Sequence, residues 1–392
     1  MEKIDFLDSR VAFESKSDKE LKSMEFLFRM MSKPRLTKIT SKIGLQAVRW
    51  NLPFVHKLVE RTVFKQFCGG KTLEESVKVI KELESYGVST ILDYGAEGRE
   101  SESEFDHTVK QTMASLEFAS NYKAVPIVST KITGLARTQL LIDYQKKKGQ
   151  LNAEESEEFQ RVIDRVDSIC KKAKETDVCV MIDAEESPFQ DTIDRICEMM
   201  MERYNTENVV VYHTFQLYRK DKLDYLKRLY DDCVKKDYYL GAKLVRGAYM
   251  EKERRWAKQG GYPSPIHETK DDTDRDYNAG IMFCVERYER IALCNASHNR
   301  RSAQAMVDKI NELGLPTNHP RLNFCQLYGM SDFITFNLAN EGYNLTKYVP
   351  YGPIDEVIPY LIRRAQENTA VSGEMNREYG MIVKEMKRRK LW

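Results

Sequence analysis

The chain has 392 residues, 42% of them apolar and 31% charged, enough for one large domain or two ordinary ones around a sizeable core. Sixty-two Lys and Arg against 60 Asp and Glu leave a net charge of +2, which excludes a global field that would draw the whole protein onto nucleic acid or a membrane. A mean hydropathy of −0.56, with Leu, Ile, Val and Phe along the whole length, excludes wholesale disorder. No apolar run approaches the roughly 20 residues that a spanning helix needs. The opening Met1-Glu2-Lys3-Ile4-Asp5 lacks the basic-then-apolar pattern of a secretory signal, so the expected location is cytoplasmic. Eight scattered cysteines form no Cys-x-x-Cys and no zinc spacing, and are expected to be reduced packing residues.

Up to about residue 85 the pattern is helical and strongly charged. Asp18–Met31, Lys38–Asn51 and Leu52–Phe67 carry apolar residues at three- and four-residue spacing, with Pro34 and Pro53 as punctuation. This predicts a helical arm over 1–85, packed on the rest of the chain, since its apolar stripes need burial. From Val88 onward short β-branched runs recur: Val88–Tyr94, Ala124–Lys131, Val178–Asp183, Val209–Gln216, Gly241–Arg246, Ile291–Ser297, Asn323–Tyr328 and Leu345–Pro350. Helical stretches such as Leu73–Tyr86, Glu154–Glu175, Thr192–Tyr204, Lys222–Lys236, Asp276–Arg290, Arg301–Glu312 and Ile354–Thr369 alternate with them. Eight strands alternating with helices predict an α/β fold, a TIM-like (β/α)8 barrel over 86–375. The rival, an open doubly wound sheet, would need fewer strands or a visible domain break. In the last residues, 376–392, the run Tyr379–Trp392 interleaves Met381, Ile382, Val383, Met386, Leu391 and Trp392 with five Lys and Arg, a basic amphipathic tail suited to an anionic membrane surface or to packing on the barrel.

In such a barrel the chemistry sits at the C-terminal ends of the strands. Those ends carry Glu97, Lys131, Asp183 with Glu185, His213 with Gln216, Lys243 with Arg246 and Tyr249, His298 with Asn299, Gln326 and Tyr348. Burying so many polar groups without partners costs several kcal/mol each, so together they predict a polar mouth. His213, alone in its strand, reads as a hydrogen-bonded core residue. Asp183 with Glu185 looks like a glycosidase pair, but a glycosidase normally takes its carboxylates from different strand ends. As metal ligands with His213 and His298 they would be opposed by Lys131, Lys243 and Arg246, and these cations point to an anionic partner. Tyr360, Arg363, Arg364 and Glu367 share one broad helix face after the eighth strand, where two guanidinium groups can clamp a small carboxylate. Neither a G-x-G-x-x-G nor a Walker-type loop occurs, so a nucleotide cofactor would have to lie on the barrel strands.

Lys243-Leu244-Val245-Arg246-Gly247-Ala248-Tyr249, with Tyr348-Val349-Pro350-Tyr351-Gly352 and Tyr360-Leu361-Ile362-Arg363-Arg364, resembles the signature blocks of proline dehydrogenase. Val180–Glu185, Thr214–Tyr218, Ala296–Asn299 and Gln326–Met330 extend the resemblance, in order, over residues 86 to 370. The family implies a distorted (β/α)8 flavoenzyme that oxidises L-proline to Δ1-pyrroline-5-carboxylate and passes electrons to a membrane quinone. The helical arm looks like the longer, single-activity form related to the mitochondrial enzymes.

By that resemblance Lys131, Arg363 and Arg364 would hold the proline carboxylate, and Glu97 would pair with the arginines. Tyr249, Tyr348, Tyr360, Leu244 and Ala248 would wall the ring and exclude water, and Asp183 would orient the floor of the site. For FAD the resemblance implies Gln216, Lys243, Arg246, Gly247, Ala248, Ser297, His298, Asn299, Gln326 and Glu367, with Lys243 donating to the flavin. Two positions depart from the shorter bacterial enzymes: Lys243 stands where they have Arg, and Ser297 where Thr is common. Tyr348 suits proline, whereas relatives preferring hydroxyproline look as if they use a smaller residue there. Oxidation of hydroxyproline or another cyclic imino acid, and a non-catalytic proline- or flavin-binding sensor, are the alternatives. Peripheral contact with the inner face of the cell membrane and self-association through the arm are further expectations.

Overall fold

The computed structural model describes residues 4–31, 59–358, 360, 361 and 372–392. Eight parallel strands close into a barrel in chain order: β1 Val88–Tyr94, β2 Ile127–Thr130, β3 Cys179–Ile182, β4 Val211–Gln216, β5 Leu240–Val245, β6 Ile291–Ala296, β7 Leu322–Leu327 and β8 Leu345–Tyr351. All eight lie where the β-branched runs place them. Strands covered on both faces read as continuous apolar runs, and β1 and β8 are buried almost throughout. The α/β barrel, and not the open sheet, is the fold.

The helices in chain order are α1 Ser9–Ala12, α2 Asp18–Met31, α3 Leu73–Glu84, α4 Glu102–Ser120, α5 Thr138–Lys146, α6 Ala153–Thr176, α7 Ser187–Tyr204, α8 Lys222–Lys235, α9 Met250–Gly260, α10 Lys270–Val285, α11 Arg300–Glu312, α12 Asp332–Asn340 and α13 Ser372–Arg388. A π-helical turn, Glu60–Phe64, precedes α3. Helix α7 starts earlier than its apolar spacing suggests because Pro188 sits in its first turn, where a missing N–H is harmless. Helix α10 starts earlier because Thr269 caps it, its hydroxyl accepting from the Asp272 N–H at 3.1 Å. The expected helix Lys38–Asn51 lies outside the described residues, as does most of Ile354–Thr369.

Chain contacts divide the molecule into two compact units. The first holds residues 1–95, 298–301 and 324–392, and the second holds 96–297 and 302–323. In the second, β2 to β6 pair in register, for example Thr130 with Ile182 and Lys243 with Cys294. In the first, β8 pairs with β1 from Leu345 opposite Val88 to Tyr351 opposite Tyr94, and with β7. There α13 lies along α2 and buries Met381, Ile382 and Met386. Two basic residues on and just past this helix are tied to the other terminus: Arg389 donates to the carbonyls of Phe13 and Lys16 at 2.8 and 2.7 Å, and Lys384 to that of Leu7 at 2.5 Å. No helix among the described residues is long and apolar enough to cross a membrane.

Candidate active site

In the second unit the strand ends gather a buried charged cluster. Asp183, the first residue beyond β3, accepts from Lys243 Nζ at 2.6 Å on one carboxylate oxygen and from Lys131 Nζ at 3.2 Å on the other. All three side chains are about a tenth exposed or less. An ion cluster in so dry a place stands only where donors and acceptors meet well, and here each oxygen of one carboxylate faces its own ammonium.

Glu185 is not the partner of Asp183. Its carboxyl turns to Thr133, accepting from the backbone N–H at 3.0 Å and meeting the hydroxyl as well. Burial pushes this carboxyl up to about 8, against the lowering effect of the Thr133 bonds, with Glu186 and Glu97 adding to the rise. Its backbone is engaged too: the Gln216 amide donates to the Glu185 carbonyl at 2.7 Å. The same Gln216 accepts from the Ala248 N–H at 3.2 Å. Gly247, with φ at +141°, makes that approach possible, and a Cβ there would lie 2.5 Å from the Tyr218 ring.

Arg246 is caged. Its Nε donates to Asp274 at 2.6 Å, its two terminal nitrogens to Ser297 at 2.6 Å and Ser302 at 2.9 Å, and its guanidinium lies over the Tyr277 ring at 4.2 Å. Tyr249 and Glu97 are half-buried. Leu244 is a correction: it sits on the opposite face of β5 from Lys243 and packs under α10 near Gly280, so it walls the outer core and not the mouth. His213, as expected of a core residue, is buried with its Nε2 3.1 Å from Asp194, beside the rings of Phe215 and Tyr225.

In the first unit Tyr348 lies in the middle of β8 and is buried, as is Tyr360. On the other face of β8, Lys347 donates to Asp332 at 2.7 Å and to the Met330 carbonyl at 2.6 Å. Gln326 accepts from the Thr335 hydroxyl at 2.9 Å, and His298 Nδ1 lies 2.9 Å from the Ser331 hydroxyl. Asn299, half-buried, accepts from the Arg301 N–H at 2.9 Å. Ser331 has φ at 53°, and its N–H donates to Glu378 of α13 at 2.8 Å. Burial pushes the Glu378 carboxyl up to about 8, with the charge of Asp332 adding to it. Arg363, Arg364 and Glu367 lie outside the described residues. A separate cleft in this unit, lined by Lys16, Glu82, Tyr328 and Lys347, contains no residue nominated from the sequence.

A proline dehydrogenase family model matches residues 76–377, more than half of the chain. The chain belongs to the proline dehydrogenase family. That places it among oxidoreductases acting on proline. It is 34% identical over 324 residues to the carbapenem antibiotics biosynthesis protein CarD of Pectobacterium carotovorum subsp. carotovorum, covering 82% of this chain and 83% of that one. It is 37% identical over 250 residues to the mitochondrial proline dehydrogenase 1 of Drosophila melanogaster, covering 61% of this chain and 37% of the fly protein. The fold is similar to proline utilization A from Bdellovibrio bacteriovorus, with a TM-score of 0.72 and 21% identity, covering 95% of this chain and 40% of that one. The chain thus spans most of CarD but two-fifths or less of the other two.

The residues of this proline dehydrogenase relative fit a flavin. Gly247 lets a backbone approach that a side chain would block, and the donors Lys243, Gln216, Arg246 and Ser297 stand on the strand ends around it. Four residues around the site were not singled out from the sequence: Thr133, Asp274 and Ser302, and Gln190, whose amide oxygen accepts from the Glu185 N–H at 2.6 Å. Thr133 carried a signal, standing two residues beyond Lys131 at a strand end. The other three sit on helices, where a polar residue reads as solvent-facing until its partner is seen.

Proposed function

We propose that this chain oxidises L-proline to Δ1-pyrroline-5-carboxylate with FAD as cofactor, and passes the electrons to a membrane quinone. The observation that carries the reading is the Lys131–Asp183–Lys243 cluster at the ends of three strands of a proline dehydrogenase-family barrel. The flavin, when bound, supplies a hydride acceptor. Lys131 supplies a fixed ammonium for the substrate carboxylate, with Arg363 and Arg364 assigned to the same group by the resemblance. Asp183 holds Lys131 and Lys243 in place. Tyr348 and Tyr360, both buried, and Tyr249 and Ala248, half-buried, wall the ring and keep water from the reacting carbon. Gln216, Lys243, Arg246, Gly247, Ala248, Ser297, His298, Asn299, Gln326 and Glu367 are assigned to the cofactor.

The test is anaerobic. The purified protein is expected to show a flavin spectrum that L-proline bleaches, and Arg363→Ala is expected to raise the proline concentration needed by tenfold or more. A colourless protein that added FAD does not restore would overturn the reading. The second reading, carried by the resemblance of the sequence blocks alone, is hydroxyproline or another cyclic imino acid as substrate. Bleaching rates with proline and hydroxyproline at equal concentration separate the two.

A further inference from the structure

Behind the strand ends of the second unit runs a line of buried polar groups that neither substrate nor cofactor chemistry requires. Gln190, in the first turns of α7, uses both ends of its amide. Its oxygen accepts from the Glu185 N–H at 2.6 Å, and its NH2 donates to Asp194 at 2.7 Å. Asp194 is anchored by Lys222 of α8 and lies beside His213 of β4. Burial alone would raise the Asp194 carboxyl, but Lys222 and His213 outweigh it and hold the group well below the usual carboxylate range. A carboxylate fixed in this way is a firm acceptor, so it sets which way the Gln190 amide faces.

That orientation propagates. With its oxygen toward β3, Gln190 holds the backbone of Glu185, and contacts from Glu185 reach two other strand ends directly and a third through Gln216. Its carboxyl takes the N–H and hydroxyl of Thr133, two residues after Lys131. Its carbonyl takes the Gln216 amide at the end of β4, and Gln216 in turn holds the Ala248 N–H beyond β5. Asp183 is two residues before Glu185 on the same short loop, and its own N–H donates to the Thr130 carbonyl at 2.9 Å. One buried amide on a helix therefore indexes the ends of β2, β3, β4 and β5. An apolar side chain in its place would leave the Glu185 N–H without a partner and free the loop to settle elsewhere.

We propose that Gln190, oriented by Asp194, is a positioning residue that sets the spacing of the Lys131–Asp183–Lys243 cluster and the presentation of Gln216 and Ala248. It touches neither substrate nor cofactor and acts through Glu185. The inference rests on the proline-oxidising reading for what the mouth binds, and on the hydrogen-bond geometry alone for the positioning itself.

The test compares two buried amides. Asn205 is as buried as Gln190 and as fully bonded, donating to the carbonyls of Val211 and Tyr239 and accepting from the N–H groups of Val210 and Val211, but at the opposite end of β4. Gln190→Leu and Asn205→Leu are both expected to lower the melting temperature. Only Gln190→Leu is expected to weaken FAD binding, by tenfold or more in a fluorescence titration, to shift the flavin absorption bands, and to speed hydrogen exchange at Thr133 and Ala248. Gln190→Glu, which keeps an acceptor for the Glu185 N–H, is expected to recover part of the exchange protection. Equal effects of the two Leu variants on FAD affinity and on exchange, or no effect of Gln190→Leu on either, would overturn the proposal. If the wild-type protein binds no FAD, the functional reading fails by itself and the exchange data still decide the positioning role.

Discussion

The two units bury charge in different ways. In the second, Lys131, Asp183 and Lys243 come from the ends of β2, β3 and β5, and the helix behind them supplies an orienting amide and the buried carboxylate of Asp194, itself paired with Lys222. In the first, a strand lysine meets a helix carboxylate 15 residues before it, Lys347 of β8 with Asp332 of α12, and the carboxyl of Glu378 on α13 accepts from the Ser331 N–H. A strand-end cluster such as Lys131–Asp183–Lys243 stands, buried, at the end of the barrel where catalytic groups gather. An inter-element pair such as Lys347–Asp332 holds layers together, and the comparison teaches that equal burial does not mean equal function.

The sharpest way to break this contrast is to remove one ion from each. Asp183→Ala leaves two buried ammonium groups facing each other, and is expected to reduce kcat/KM for proline about a hundredfold or more, with a loss of about 3–5 kcal/mol in stability. Lys347→Met, matched in length, is expected to cost a similar amount of stability in urea unfolding while leaving FAD affinity within about twofold. If Lys347→Met instead removed flavin binding at unchanged stability, the division into mouth and shell would be wrong.

A smaller effect tests both units with one variable. Glu185 and Glu378 are each pushed up from an ordinary value of 4.5 to about 8, mainly by burial. The folded protein keeps these protons where the unfolded chain has lost them. Their contribution is therefore whole below about 4.5 and is lost as pH rises through about 8. Glu185→Gln and Glu378→Gln should each flatten the fall in unfolding free energy between about pH 5 and about pH 9, by about 4 kcal/mol. A slope unchanged in either variant would show that its carboxyl is ionised in the fold. The smallest effect is expected at the tail. Met381, Ile382 and Met386 are already used in packing, which leaves Trp392, at 58% exposure, with Lys387 and Lys390 as groups for a membrane surface. Deleting 387–392 should lower liposome binding severalfold, and unchanged binding and quinone reduction would dispose of that contact.

The barrel was legible because β1 to β8 announce themselves as short β-branched runs followed by turn or polar residues. Helix α4 was not. Its buried face sets Thr108, Thr112 and Ser115, whose hydroxyls bond to the carbonyl four residues back, among Phe105, Leu116 and Ala119, so the apolar periodicity that marks an amphipathic helix is interrupted. Helix α12 hid for the opposite reason, being buried on nearly every side. At the site, Lys131, Asp183 and Lys243 could be named from their places at strand ends. The meaning of Glu185 could not, because alternation along a strand puts it beside Asp183 and only the Thr133 contact turns it away. Leu244 was misread for a related cause: a signature block gives neighbours in sequence, while a strand sends neighbours to opposite faces.

The clasp between the chain's two ends has a consequence for synthesis. Arg389 and Lys384 bind carbonyls of residues 7, 13 and 16, and β1 finds its in-unit partner only in β8. On the ribosome, the segment carrying β2 to β6 can pair its strands as they emerge, while the first 95 residues wait with an unsatisfied strand and apolar helix faces until the last 70 or so arrive. That interval is where a chaperone would be needed, and a nascent chain stalled near residue 323 should be protease-sensitive at its start and resistant through its middle.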